Sequence, residues 1–122
     1  MVIRIYMMPD IRKVQFYGDG FFVSLPKEWV KKHNLKVRDK VSVIVEDKLI
    51  VKPASKDETS TTSLQYMGRS FFVYLPVKWV RKHKIKAGDE MLVMATSKKV
   101  VIIPLKGKVL KKLKMNLREF YE

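Results

Sequence analysis

His33 and His83 recur at an offset of 50, as do Asp39 and Asp89, so these pairs are the first to test for chemistry. A histidine metal site needs a second ligand at i+3 or i+4 on the same helix. Neither histidine has a His, Asp or Glu there. The aspartates suit turns, where a carboxylate binds backbone N–H groups, better than acid–base work, which needs surroundings that separate two pKa values. The chain has no cysteine, which removes thiol nucleophiles, disulfides, iron–sulfur clusters and Cys-type zinc sites. No nucleophile stands by a base, and no glycine loop is built to cradle phosphate. Catalysis is therefore not expected, and no cofactor or metal is assigned. Cations, by contrast, are plentiful. Lys+Arg is 26 against Asp+Glu 12, a formal net charge of +14, while 47% of residues are hydrophobic. That is a folded basic protein rather than a disordered basic tail, and it calls for a polyanionic partner.

Those cations need elements to position them, and the chain supplies the elements twice. QFYGDGFFVSLPKEWVKKHNLKVRDKVSVIVEDK (15–48) lies on QYMGRSFFVYLPVKWVRKHKIKAGDEMLVMATSK (65–98) without a gap. Paired identities include Gly18/Gly68, Phe22/Phe72, Pro26/Pro76, Trp29/Trp79 and Asp39/Asp89. The register slips by one residue where DKLIVKP (47–53) meets SKKVVIIP (97–104). ASKDETSTTS (54–63) between the repeats is polar and reads as a linker. Ten residues reach roughly 30 Å, enough for the repeats to pair within one chain.

Each repeat reads β-β-α-β-β. In the first, 14–17 form a strand, Gly18-Asp19-Gly20 a turn and 21–25 a second strand rich in aromatic and β-branched residues. Pro26 suits the first position of a helix running to about His33, with Trp29, Val30 and His33 on one face. A hairpin over 41–45 and 49–52 completes the unit. A unit of about 40 residues is too small for its own core. The repeats should share one core as a pseudo-twofold domain. Of the aromatics, core packing is the stronger reading for Phe21, Phe22, Phe71 and Phe72 over base stacking, and helix anchoring for Trp29 and Trp79.

Strand, Gly-Arg turn, V-x-L-P, short basic helix, K-x-G-D and hydrophobic hairpin together resemble the AbrB/MazE/SpoVT family of swapped-hairpin DNA-binding domains. The second repeat carries the fuller pattern: Gly68-Arg69, Val73-Tyr74-Leu75-Pro76, Trp79-Val80-Arg81-Lys82 and Lys86-Ala87-Gly88-Asp89. The first has Asp19 at the turn arginine and Arg38 at the turn glycine, so that turn is either reshaped or strained. The stretch RKVQ…VSLPKEWVKK is also similar to the AbrB-type modules of archaeal phosphate-uptake regulators. The resemblance implies a mainly β fold: two repeats forming one pseudo-twofold, barrel-like domain of exchanged hairpins. It implies double-stranded DNA as partner, contacted by Arg12 and Lys13, by Arg69, and by Lys31 and Arg81 on the helices, with Lys32 and Lys82 beside them. Arg69 and Arg81 suit base readout, the lysines phosphate. For any single lysine, a solvated charged face competes with this reading.

The expected organisation is a first repeat over 1–53, with VIRIY as an added edge strand, a linker over 54–62, a second repeat over 63–104 and a tail over 105–122. In the tail, Val109, Leu110, Leu113, Leu117 and Phe120 or Tyr121 recur at helical spacing among Lys111, Lys112, Lys114 and Arg118, after a break at Gly107. Such an amphipathic helix packs on the domain or on a second chain as a homodimer contact. Lying on a membrane surface is the weaker reading. The functional expectation is a sequence-selective transcriptional regulator. The alternatives are an antitoxin-like protein gripping a toxin or another regulatory protein through its tail, and a chromatin-type binder of low specificity. The tail has six basic and two acidic residues, which weakens the antitoxin reading, because such tails are often acidic. No apolar run approaches the roughly 18 residues of a membrane span. The N-terminus lacks the pattern of a signal peptide. A cytoplasmic, nucleoid-associated location is expected.

Overall fold

The computed structural model describes residues 10–55 and 60–105. The N-terminal VIRIY and the tail helix expected from the sequence lie outside these residues. The first repeat opens with a strand broken at Val14 into β1 (Asp10–Lys13) and β2 (Gln15–Tyr17). Tyr17 pairs with Gly20, so Gly18-Asp19 is a two-residue turn and Gly20 already belongs to β3 (Gly20–Ser24). α1 (Lys27–Lys32), β4 (Lys40–Val45) and β5 (Leu49–Pro53) follow. The second repeat gives β6 (Thr61–Ser63), β7 (Gln65–Met67), β8 (Ser70–Tyr74), α2 (Val77–Lys82), β9 (Glu90–Ala95) and β10 (Val100–Pro104). Thr61 and Thr62, at the end of the polar inter-repeat stretch, thus belong to β6.

Local chemistry explains both short helices. Pro26 has ψ 126° and stands just ahead of α1 rather than inside it; its carbonyl accepts from the Val30 N–H at 3.2 Å. At the far end Asn34 and Lys84 take φ +52°, reversing the chain. The N–H groups of Leu35 and Ile85 then reach back to the carbonyls of Val30 and Val80, both at 3.0 Å, which closes each helix after six residues. Trp29, Val30, Trp79 and Val80 are the buried positions.

The strands form two antiparallel sheets. The larger has the order β1-β9-β10-β5-β4-β6 and the smaller β2-β3-β8-β7. Both orders read the same from either edge once the repeats are exchanged. Every inter-repeat seam is therefore a pairing of unlike halves: β1 with β9, β4 with β6, β5 with β10, β3 with β8. Val23 lies opposite Val73, on the axis relating the halves. The core cluster between the sheets draws on both repeats, including Val14, Val23, Trp29, Val41 and Val51 with Leu64, Val73, Trp79, Met91 and Ile102.

The sheets do not close into the barrel that the sequence suggests. The reason lies where the leading strands pass from one sheet to the other. The Val14 N–H donates to Asp89 O at 2.8 Å, and Val14 O accepts from Gly88 N–H at 2.7 Å. Leu64 does the same with Asp39 and Arg38, at 2.8 and 2.7 Å. Both residues are spent on turns, so the ladder is interrupted at each corner. Arg38 fits this scheme without reshaping it: its φ is +73°, against +89° for Gly88. An arginine in this region carries roughly 1 kcal/mol of backbone strain that glycine avoids.

Phe22 and Phe72 are buried, but on the far side of the smaller sheet from the core cluster. They meet each other edge to face at 4.8 Å across the axis. Phe21 and Phe71 pack against the core from within. Tyr74 lies over Gly20, where an added Cβ would come within 2.8 Å of the ring. The equivalent pair in the other half is Ser24 with Ser70.

Candidate nucleic-acid interface

Antiparallel pairing of β3 with β8 decides which cations meet. Ser24 lies opposite Phe72, and the Leu25 N–H donates to Phe71 O at 2.8 Å. Continued one step, this register brings Ser70 opposite Pro26. The Gly68-Arg69 turn therefore stands at the start of α1, and the Gly18-Asp19 turn at the start of α2. The repeat alignment groups Arg69 with Arg81, but the fold separates them. Arg69 shares a side with Lys31 and Lys32, while Arg81 and Lys82 share theirs with Asp19.

Both central residues of the second turn have positive φ, Gly68 at +54° and Arg69 at +77°, which matches a type I′ hairpin turn. In the first turn only Gly18 does, at +63°. Arg69 is exposed at the tip, in a conformation that costs arginine about 1 kcal/mol. Arg12 is differently placed. Its Nε lies 2.9 Å from Asp10 Oδ2, and its Nη1 donates to Ser24 Oγ at 2.8 Å and to Leu25 O at 3.5 Å. Its side chain is only 25% exposed. It ties β1 to the end of β3 and offers fewer free donors than a purely external arginine. Lys13, opposite Glu90, is exposed. Lys31, Lys32, Arg81 and Lys82 are exposed in the last turns of their helices. Lys82 Nζ is 3.2 Å from Asp47 Oδ1, an open pair of little energetic weight.

The two C-terminal hairpins sharpen the difference. Residues 46–48 join β4 to β5, whereas 96–99 join β9 to β10, so the slip in the repeat is one extra residue in a turn. Each turn rests on the helix of the other repeat. His33 Nε2–H donates to Ser97 O at 2.8 Å, a contact that fixes the tautomer because a carbonyl can only accept. On the other side Trp79 Nε1–H donates to Asp47 O at 3.3 Å. The extra residue thus moves the accepting carbonyl from the Trp to the His of the helix. Trp29 Nε1 and His83 Nε2 are left buried without a partner. It also sets exposed Lys98 and Lys99 beside α1, and Glu46 and Asp47 beside α2.

The α1 side thus gathers Arg12, Lys13, Lys27, Lys31, Lys32 and Arg69, with Asp10, Glu28 and, opposite Lys13, Glu90 as its carboxylates, and Lys98 and Lys99 close by. On the α2 side Thr62, Ser63 and Val77 replace Arg12, Lys13 and Lys27, leaving Lys78, Arg81 and Lys82 with Asp19; exposed Lys84 follows the helix where α1 has Asn34, Lys40 lies opposite Ser63, and Lys48 shares its turn with Glu46 and Asp47. On this side a cavity of about 400 Å³ lies among β4, β6 and the start of α2, lined by Val43, Val45, Thr62, Tyr74 and Val77 among others. Sequence reasoning passed over Lys27, Lys98 and Lys99. The available signal was the contrast between the hairpin turns, EDK against TSKK. No cluster of three or more metal-ligating side chains occurs among the described residues.

Residues 21–59 match the family model described as antidote-toxin recognition MazE, bacterial antitoxin. The matched stretch begins in β3 and runs through α1, β4 and β5. This part of the chain is similar to the AbrB/MazE-like superfamily, which spans DNA-binding regulators and antitoxins. No curated protein and no solved structure matches the chain. Among the described residues, no helix is long and apolar enough to cross a membrane.

Proposed function

We propose that this chain is a sequence-selective double-stranded DNA-binding protein acting in transcription regulation, by binding and without catalysis. In this reading the two repeats form a tandem swapped-hairpin domain within one chain, and the α1 side is the DNA face. The observation that carries it is the crowding of exposed cations on that side, with Arg69 at a turn tip and Lys31, Lys32, Lys98 and Lys99 near the end of α1. Closely spaced cations on a folded surface attract phosphate at long range and release its counterions on contact. Arg69, with its forked donors, is the residue for base edges, and the lysines hold the backbone. The unequal α2 side implies a non-palindromic site. The cytoplasm and nucleoid are where such a protein would act.

A gel shift with specific and scrambled competitor DNA, repeated across salt concentrations, tests this directly. Neutralising about five phosphates gives a slope of log K against log salt near −4.5. Absence of duplex binding at low salt, or binding that ignores salt, would sink the proposal. A second reading is a toxin-binding antitoxin. It is favoured by the description of the matched family and by the apolar cavity on the α2 side, and it predicts affinity for a protein partner that survives high salt.

A further inference from the structure

We infer that His33 is a positioning residue for DNA binding: its hydrogen bond to Ser97 holds the 96–99 turn against α1, so that two pairs of lysines close on one run of phosphates. The inference rests on the DNA-binding reading above and adds to it a residue that need not touch DNA. His33 directly follows Lys31-Lys32, and Ser97 directly precedes Lys98-Lys99. The 2.8 Å bond between them thus sits at the junction of KKH and SKK, and joins residues 64 apart in the chain. All four lysines are exposed. Ammonium groups gathered around one bond repel each other, and the hydrogen bond holds the two segments together against that repulsion. A phosphate backbone laid across them relieves it.

The shape of the turn and its place are set separately. Ala95 pairs with Val100, and beyond them the Thr96 N–H donates to Lys99 O at 2.8 Å. Thr96 Oγ1 accepts from the N–H groups of Lys98 and Lys99, both at 3.2 Å, and donates to Lys99 O at 3.3 Å. All of these bonds lie within the turn, so they fix its shape and leave its position against α1 to another contact. His33 supplies it: the ring packs on Trp29 with centroids 4.7 Å apart, and Nε2 reaches the turn. Trp29 Nε1 has no partner, so among the described residues His33 makes the one side-chain hydrogen bond from α1 to this turn. A turn held in place beforehand spares the entropy of ordering it on the ligand. The other half supplies an internal comparison. His83 packs on Trp79 at 5.1 Å, yet its Nε2 has no partner, and the bond to the 46–48 turn comes from Trp79. That turn carries Glu46 and Asp47. The same histidine thus holds a basic turn on the α1 side and no turn on the α2 side.

In the full chain, His33→Phe keeps a ring on Trp29 and removes the donor. It should bind a fluorescent duplex taken from a random-DNA selection about five- to tenfold more weakly at moderate salt, with the slope of log K against log salt shallower by about one. His83→Phe, the same substitution at the equivalent place, should bind as the native chain does. His33→Gln, whose amide nitrogen reaches the place of Nε2, should stay within about twofold of native. Because His33 acts through the turn, His33→Phe should cost little more once Lys98 and Lys99 are both alanine. Fluorescence anisotropy measures the whole set, and thermal denaturation checks that each chain is folded. Native affinity in His33→Phe, equal losses in His33→Phe and His83→Phe, or an undiminished loss in the absence of the turn lysines would overturn the inference, while duplex binding by the native chain would leave the DNA reading standing. No duplex binding by the native chain would remove both.

Discussion

The α1 and α2 sides of the molecule descend from one pattern and do different physical work. On the α1 side Arg12 spans the gap between β1 and β3, and cations crowd the helix and both nearby turns. On the α2 side Thr62 leaves the equivalent gap open, and Val77, Glu46, Asp47 and Asp19 dilute the positive charge. A chain that pairs with a separate copy of itself must use one sequence for both sides. Two repeats in one chain remove that constraint, so each side can change without the other.

Charge reversal breaks the comparison most sharply. Lys31→Glu with Lys98→Glu should weaken duplex binding about a hundredfold at moderate salt, since each attraction to phosphate is turned into a repulsion. Lys78→Glu with Lys82→Glu, on the α2 side, should cost about tenfold or less. Fluorescence anisotropy with one labelled duplex measures both. Equal losses would mean that the two sides face DNA alike.

Packing at the seam comes next. Gly20→Ala forces Tyr74 aside and should destabilise by about 1–3 kcal/mol, lowering the melting temperature by several degrees. Ser70→Ala, at the equivalent place, where Ser24 stands in for Tyr74, should be within about 0.5 kcal/mol of wild type. Adding Tyr74→Ser to Gly20→Ala should restore part of the loss. Thermal denaturation of wild type, Gly20→Ala, Tyr74→Ser and the double variant reads this as a coupling.

The hairpin turns offer a finer test. Deleting Lys98 makes the second turn as short as the first. The accepting carbonyl should then pass from His33 to Trp29, giving its indole N–H the bond that Trp79 already has. The expected sign is slower exchange of the Trp29 indole proton, with stability changed by about 1 kcal/mol or less. Unchanged exchange would mean that loop length does not choose the ring.

The smallest effects concern strained backbone. Arg38→Gly should gain about 0.5–1 kcal/mol, seen as a higher denaturant midpoint at unchanged slope. Arg69→Gly should gain a similar amount yet lose base preference at one position of the site in a random-DNA selection. Gain of stability with unchanged preference would remove Arg69 from the reading surface.

Much of this architecture can be read from the chain. The offset of 50 reveals the repeat, and hydrophobic periodicity with its proline and glycine punctuation reveals strands, turns and helices to within a residue or two. The sharing of sides is hidden, because sequence alignment places like with like while antiparallel β3–β8 pairing places Arg69 beside the opposite repeat's helix. Arg12 reads as a free cation until Ser24 and Leu25 are seen within its reach. The interrupted corners at Val14 and Leu64 have no local signature either, since their partners lie on distant turns. Even the slip at 97–104 is visible, but its effect on His33 and Trp79 depends on which helix the turn rests against.

The pairing of β1 with β9 also sets a timetable for synthesis. Asp10 lies opposite Val93, so β1 has no partner strand until β9 has been made. At about 5–20 residues per second, the first repeat waits several seconds on the ribosome with its core-facing Val14, Val23 and Trp29 uncovered. Neighbouring nascent chains on one message would offer each other first repeats. In such a pairing Gly20 would meet Ser24 where Tyr74 belongs, leaving unfilled space at the seam. The mismatch disfavours a premature partnership and keeps the first repeat available until its own second half arrives.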